Sequence, residues 1–183
     1  LTFLPLIMKA LIYAINAFPQ FNSSLNQKTK TLVLKKYFNF GIAMDTDDGL
    51  VVPVIKNVDK KNILKLSNEL IKMNNKATNK KILPSDFEGG TFTVSSLGSL
   101  GGDYFTPIIN PPQVAILGIS KAEIEPQFIN GKFVPSFMLP YSLSYDHRVI
   151  DGAEAVRFCK KISFFLENKE LLDIEFNKIN EFK

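Results

Sequence analysis

Apolar residues recur at helical spacing in some stretches of this chain and as strand-like runs in others. The switches between the two outline a fold. From 2 to 18, Leu4, Ile7, Leu11 and Ile15 share one side of a helix, and Pro5 sits at a favourable early position. Phe18-Pro19-Gln20-Phe21-Asn22 ends that pattern, and residues 22–30 read as a polar loop. Residues 31–34 and 38–44 have strand character. Asp45-Thr46-Asp47-Asp48-Gly49 supplies turn chemistry before the β-branched-rich run Leu50 to Ile55, so 37–56 reads as a hairpin. Pro53 has no N–H for a ladder, which places that run at an edge or a bulge.

Ile63, Leu66, Leu70 and Met73 return to helical spacing and predict a helix from about Asp59 to Lys76, with Asp59 as its N-cap. Residues 82–90 form a loop with room for one helical turn. Thr91 to Leu97 is a strand, followed by the glycine-rich turn Gly98 to Asp103. Gln113 to Ser120 is almost wholly apolar and reads as a central strand. Residues 124–129 and 132–137 flank Asn130-Gly131, a strong hairpin signal. Leu139 to Tyr145 is a further strand. Ala155, Phe158, Ile162 and Phe165 then mark a helix from about Asp151 to Asn168, with Asp151 at its N-terminal end. From Leu171 onward the chain turns polar. Hairpins mixed with helices point to an α/β layer with a largely antiparallel or mixed sheet.

Composition narrows the class. With 183 residues, 45% hydrophobic and 22% charged, the chain has the balance of a soluble globular domain with its own core. The net charge of +4 comes from scattered lysines without an Arg-rich or aromatic-interleaved stripe, so it does not point to nucleic acid. Pro5, Lys9 and Asn16 interrupt the opening apolar run, which therefore does not read as a membrane span. One cysteine, Cys159, permits no intrachain disulfide and favours a reducing compartment; one Cys and one His form no zinc constellation.

That one histidine is the leading candidate for chemistry. His147 lies in Ser-Tyr-Asp-His-Arg-Val-Ile-Asp-Gly, between a strand and a helix. Imidazole exchanges a proton near neutral pH, which suits a general base. A purely structural histidine is the competing reading. Asp151, four residues on, is either an orienting group or a plain helix cap, and the two roles coexist. Ser95 and Ser96 end a strand before glycines, where a hydroxyl can donate to a developing oxyanion. The competing reading is a hydroxyl satisfied by its own turn. Cys159 falls inside a helix pattern and reads as an inert thiol. Arg148 and Arg157 have no partner assignable from sequence.

Five stretches carry a family resemblance. They are Leu6-Ile7-Met8-Lys9-Ala10 with Phe18-Pro19-Gln20-Phe21-Asn22; Gly41 to Thr46 with Gly49 to Val54; Gly90-Thr91-Phe92-Thr93-Val94-Ser95; Pro107 to Gly118; and Asp146-His147-Arg148-Val149-Ile150-Asp151-Gly152. In this order and spacing the chain resembles the catalytic domain of dihydrolipoamide acyltransferases, the E2 components of 2-oxoacid dehydrogenase complexes. The match runs from Leu1 to about Leu172. The resemblance implies a fold like chloramphenicol acetyltransferase, with a mixed sheet flanked by helices and a homotrimer with active sites at subunit interfaces. It implies that residues 1–183 are one catalytic domain lacking an N-terminal segment and the lipoyl and subunit-binding domains.

For the site, the resemblance makes His147 the base, Asp151 the motif acid and Ser95 the hydroxyl that meets the tetrahedral intermediate from the neighbouring subunit. Ser96 and Gly98 become candidate coenzyme A contacts, and no metal is implied. Coenzyme A is then a substrate, and the lipoyl group arrives on a domain outside the chain. The implied partners are the E1 and E3 components, through those other domains, and a larger cubic core of trimers. The polar ending Asn177-Lys178-Ile179-Asn180-Glu181-Phe182-Lys183 differs from the apolar tail of many pyruvate-complex relatives and sets that cubic core in question. The setting implied is bacterial cytoplasm, or mitochondrial matrix or plastid stroma in a eukaryote. The stretches from Ser95 and from Val114 look more like the acetyl branch than the succinyl branch. Succinyl or branched-chain transfer, transfer to another acceptor, and a catalytically silent scaffold are the alternatives; retention of His147, Asp151 and Ser95 disfavours the scaffold.

Overall fold

The computed structural model describes residues 2–98 and 101–177. Helix α1 (Leu4–Ala17) has proline in its first turn, as the pattern predicts, and it stops at Phe18, whose N–H donates to Ala14 O and Ile15 O. Helix α2 (Ile63–Thr78) begins later than expected. Asn62, not Asp59, is its cap: Asn62 Oδ1 accepts from Lys65 N at 2.9 Å, while Asp59 lies in a separate 3-10 turn, Val58–Lys60. Both side chains suit a cap, and only the backbone path decides which of them meets the free N–H groups. Helix α3 (Gly152–Glu167) follows the expected boundaries, with Asp151 at the N-cap. The polar run from Leu171 contributes to a further helix, α4 (Lys169–Asn177), tied to α1 by Lys9 and Glu175 at 3.6 Å.

The strands are β1 (Ser23–Asn26), β2 (Thr31–Leu34), β3 (Phe40–Thr46), β4 (Gly49–Val51), β5 (Val54–Ile55), β6 (Phe92–Ser96), β7 (Ala115–Ile119), β8 (Glu123–Ile129), β9 (Lys132–Met138) and β10 (Tyr141–Tyr145). The main sheet runs β10-β7-β6-β3-β4, with β5 also on β3. β6 is parallel to both neighbours, and the remaining pairs are antiparallel, so the sheet is mixed as expected. Val52 and Pro53 split the second arm of the early hairpin into β4 and β5, the interruption that proline signals. Residues 23–26, expected in a loop, pair with β2; their polar side chains hide a strand held by its partner. Asn130 and Gly131 both have positive φ at the β8–β9 turn, the geometry that makes this dipeptide a hairpin signal.

Phenylalanine builds the core between sheet and helices. Phe21 and Phe158 stack with ring centroids 3.8 Å apart, Phe92 lies 6.3 Å from Phe158, and Phe40 lies 5.9 Å from Phe92. All four are fully buried. Burying each such side chain stabilises the fold by roughly 1.5–3 kcal/mol. This packing holds β6 and α3 in one rigid frame. Ser95 sits on the first, and the second begins just after the His147 turn.

Candidate active site

Ser95 lies near the C-terminal end of β6. Phe92 and Val94 are buried, and Phe92 contacts Phe158 of α3. Strand alternation therefore turns Thr93 and Ser95 to the face away from the helices. Across that face the strand neighbours of Ser95 are the small residues Ala43 and Gly118, with the Phe105 ring packed over Gly118. Gly118 cannot be enlarged, because a Cβ there would stand 2.7 Å from the Phe105 ring. Half-buried Ser95 stands at the rim of a cavity of about 640 Å³ that opens mainly on the opposite, helix side of the sheet, lined by Ile42 and Met44 and by Leu70 and Asn74 of α2.

Ser96 is exposed beside the same cavity. At Gly98 a Cβ would meet the Ser120 carbonyl oxygen at 3.3 Å, so glycine lets this segment pass close to the end of β7. Of the following glycine-rich turn, Ser99 and Leu100 lie outside the described residues, and so do 178–183 of the polar tail.

His147 sits on a turn beyond β10. The turn is held by Asp146, whose N–H donates to Val114 O at 2.8 Å and whose carbonyl accepts from Val149 N and Ile150 N. The imidazole is exposed and lies against the Tyr145 ring, 5.7 Å between centroids. Among the described residues it has no side-chain hydrogen bond. Sequence reasoning missed the pair that flanks it: Arg148 grips the Asp146 carboxylate, with Nη2 2.6 Å from Oδ2. The guanidinium holds the Asp146 carboxyl below the usual carboxylate range. An acid and an arginine two positions apart, around a histidine, is the signal that was available for it.

Asp151 caps α3, its Oδ1 accepting from Glu154 N at 2.8 Å. Its position places it near the His147 turn, but its observed bond is to the helix. Cys159 is half-buried; burial pushes its thiol pKa up, and its carbonyl accepts from the Tyr141 hydroxyl. Burial and a raised thiol pKa fit an inert thiol. The described residues hold no group of His, Cys, Asp and Glu suited to a metal, and no described helix is long and apolar enough to cross a membrane.

One chain does not bring Ser95 and His147 together. Ser95 pairs with Gly118, while Tyr145 pairs with Ala115 at the start of β7. The two positions are separated by three residues of β7, roughly 10 Å along the strand, and by two strand spacings, roughly 10 Å across. His147 lies beyond Tyr145, on the far side from Ser95. A hydroxyl and an imidazole at opposite ends of one sheet cannot flank the same carbonyl within one subunit.

The model of a known family, 2-oxoacid dehydrogenases acyltransferase (catalytic domain), matches residues 1–174. The chain belongs to this acyltransferase family. Among relatives, it is 54% identical over 176 residues to the dihydrolipoyllysine-residue acetyltransferase component of the pyruvate dehydrogenase complex from Buchnera aphidicola of Schizaphis graminum, covering 96% of this chain and 42% of the relative. The same component from Azotobacter vinelandii is 51% identical over 166 residues, 91% of this chain and 26% of the relative. The chain thus spans less than half the length of these curated relatives.

Among solved structures, one concerns the role of a serine, a histidine and an asparagine in the catalytic mechanism of the Azotobacter vinelandii dihydrolipoamide acetyltransferase. It superimposes with a TM-score of 0.90 at 50% identity, covering 94% of this chain and 71% of that one. The cubic core of the pyruvate dehydrogenase multienzyme complex gives 0.88 at 51% identity, over 91% and 68%. Chloramphenicol acetyltransferase, at 18% identity and a TM-score of 0.59 over 90% and 78%, shares the fold expected from the sequence.

Proposed function

We propose that this domain transfers an acetyl group from a dihydrolipoyl thioester to coenzyme A, as part of a pyruvate dehydrogenase complex. The observation that carries this reading is a spacing. Ser95 and His147 are 52 positions apart and Asp151 follows four later, the separations of the serine, histidine and asparagine studied in the Azotobacter enzyme. The third residue differs in kind, Asp here and Asn there. An amide oxygen can accept from Glu154 N as the Asp151 carboxylate does, so the cap accommodates both.

The chemistry follows from the residue types. A free thiol has a pKa of ~8.5, so little thiolate exists near neutral pH. His147 takes the proton of the coenzyme A thiol as its sulfur attacks the thioester carbonyl. The Ser95 hydroxyl donates to the oxyanion that develops, a contribution on the order of 3 kcal/mol for a single such donor. The carbonyl re-forms as the carbon–sulfur bond to the lipoyl arm breaks, and His147 returns the proton to the departing sulfur. Ser96, which lines the cavity at the end of β6, and Gly98, beside the end of β7, are the positions proposed for coenzyme A contacts.

The separation of Ser95 from His147 supports a homotrimer in which each site takes the serine of one subunit and the histidine of the next. The apolar side chains exposed on the β8–β9 ribbon, Phe133 at 74% and Ile124 at 73%, supply surface for such contacts. A cubic core of trimers, a lipoyl arm on another domain, E1 and E3 components and a cytoplasmic setting complete the reading. It is tested in the assembled full-length protein with acetyl-coenzyme A and dihydrolipoamide, following thioester formation beside His147→Ala. Activity unchanged by that substitution refutes the mechanism. Faster transfer from succinyl-coenzyme A refutes the acetyl assignment, and an inactive, correctly assembled wild type favours a scaffold.

A further inference from the structure

The candidate base lacks a side-chain hydrogen bond among the described residues, yet a base must point in one direction to work. What is fixed instead is the backbone that carries it. Asp146 anchors that backbone at both ends of the turn: its N–H to Val114 O at 2.8 Å, its carbonyl to Val149 N at 2.9 Å and Ile150 N at 3.0 Å. Its side chain then bonds to the residue that follows His147. Oδ1 accepts from Arg148 N at 3.0 Å, and the carboxylate holds the guanidinium through Nε at 2.9 and 3.2 Å and Nη2 at 2.6 Å. The residues on either side of His147 in the sequence are therefore tied to each other.

Stability accounts for only a small part of this arrangement. The Asp146 side chain is 18% exposed but that of Arg148 is 60% exposed, and an ion pair with one partner largely in solvent adds modestly to folding. The forked geometry is specific, however: two parallel contacts fix the plane of the guanidinium and with it the path of residues 146–148. The Tyr145 ring is a further neighbour of the imidazole, 5.7 Å between centroids.

We infer that Asp146 and Arg148 form a positioning clamp that sets the direction of the His147 imidazole. This rests on the reading of His147 as the base. Neither residue touches the reacting atoms; both act through the turn.

Kinetics of the assembled full-length protein test it, with Asp146→Asn, Arg148→Lys, the double variant and His147→Ala measured together. The Asp146→Asn change keeps an acceptor for Arg148 N but loses the ionic fork. The Arg148→Lys change keeps the charge but loses the two-point grip. Each single variant is expected to lower kcat by about 10- to 100-fold through misplacement of the base, with KM for coenzyme A within about twofold. The double variant is expected to fall no further than the worse single one, because both remove the same contact. Unchanged kcat in both single variants, with His147→Ala inactive, overturns the clamp alone. A raised KM with unchanged kcat also overturns it, since the pair would then serve ligand binding. A fully active His147→Ala overturns the underlying reading instead. If Asp146→Asn fails to assemble, the exposed Arg148→Lys change decides the question by itself.

Discussion

The two ends of the central sheet hold their candidate residues in different ways. Ser95 is inside the sheet, with parallel ladders to β3 on one side and β7 on the other. Its direction is set by strand alternation, beside Ala43 and Gly118 in register and the Phe105 ring over Gly118. His147 lies outside the sheet, on an exposed turn past the edge strand β10, and its direction is left to local contacts. The difference suits the two proposed tasks. A hydrogen-bond donor to an oxyanion acts by being fixed beforehand, so a doubly paired strand is a good mount. A base must reach a proton on a group that arrives from outside, so it belongs at an accessible surface. Each end is also incomplete: one has a donor without a base, the other a base without a donor.

The largest effect that can break this comparison is expected at the exposed end. His147→Ala should lower acetyl transfer by roughly 10²- to 10⁴-fold, the range for loss of general acid–base catalysis, with melting behaviour unchanged. Ser95→Ala comes next, with kcat down about 10²- to 10³-fold and KM nearly unaltered in steady-state assays. Mixing the two inactive proteins under conditions that exchange subunits sharpens the comparison. If the ends meet across an interface, random assembly should restore about a quarter of wild-type activity, because a cyclic contact pairs each histidine with a neighbour's serine. No recovery after verified exchange would place both residues of a working site in one chain.

Smaller effects separate structure from chemistry at the histidine end. Asp151→Ala should cost about 1 kcal/mol in denaturant unfolding by removing the cap of α3, whereas Asp151→Asn should cost little, since its oxygen still accepts from Glu154 N. A large kcat loss in Asp151→Asn would give the carboxylate a role beyond the cap. The smallest effect concerns acid. Arg148 lowers the Asp146 pKa below the ordinary 3.8. The stability this contributes is present above the ordinary carboxylate range and is lost as pH falls through the folded value. Carboxyl titration by NMR should place Asp146 below 3.8, and Asp146→Asn should flatten the acid side of the stability curve slightly. An ordinary midpoint would mean that the fork does not persist in solution.

Legibility from sequence followed burial and local bonding. Ala155, Phe158, Ile162 and Phe165 revealed α3 because its apolar face meets the core. Asn130-Gly131 revealed the β8–β9 turn because few residues accept positive φ twice in succession. β1 stayed hidden because polar Ser23, Ser24 and Asn26 become a strand only through pairing with β2. The cap of α2 was misplaced because Asp59 and Asn62 carry equivalent signals, and the 3-10 turn at Val58 separates them only in three dimensions. The Asp146–Arg148 pair could be seen as residues but not as a contact, since two positions of separation bring side chains together only on a turn.

By itself the sequence determined the family, the mixed α/β class, and which residues are candidates for acid–base and oxyanion chemistry. These are properties of residue type, spacing and the period of burial, all local along the chain. Only the tertiary structure decided that Ser95 and His147 stand at opposite ends of one sheet. Strand order and direction are set by which surfaces pack, through contacts such as Phe92 on Phe158 and the parallel pairing of β6 with β7. No spacing along the chain encodes that separation, and it is what makes a second subunit a requirement of the proposed chemistry.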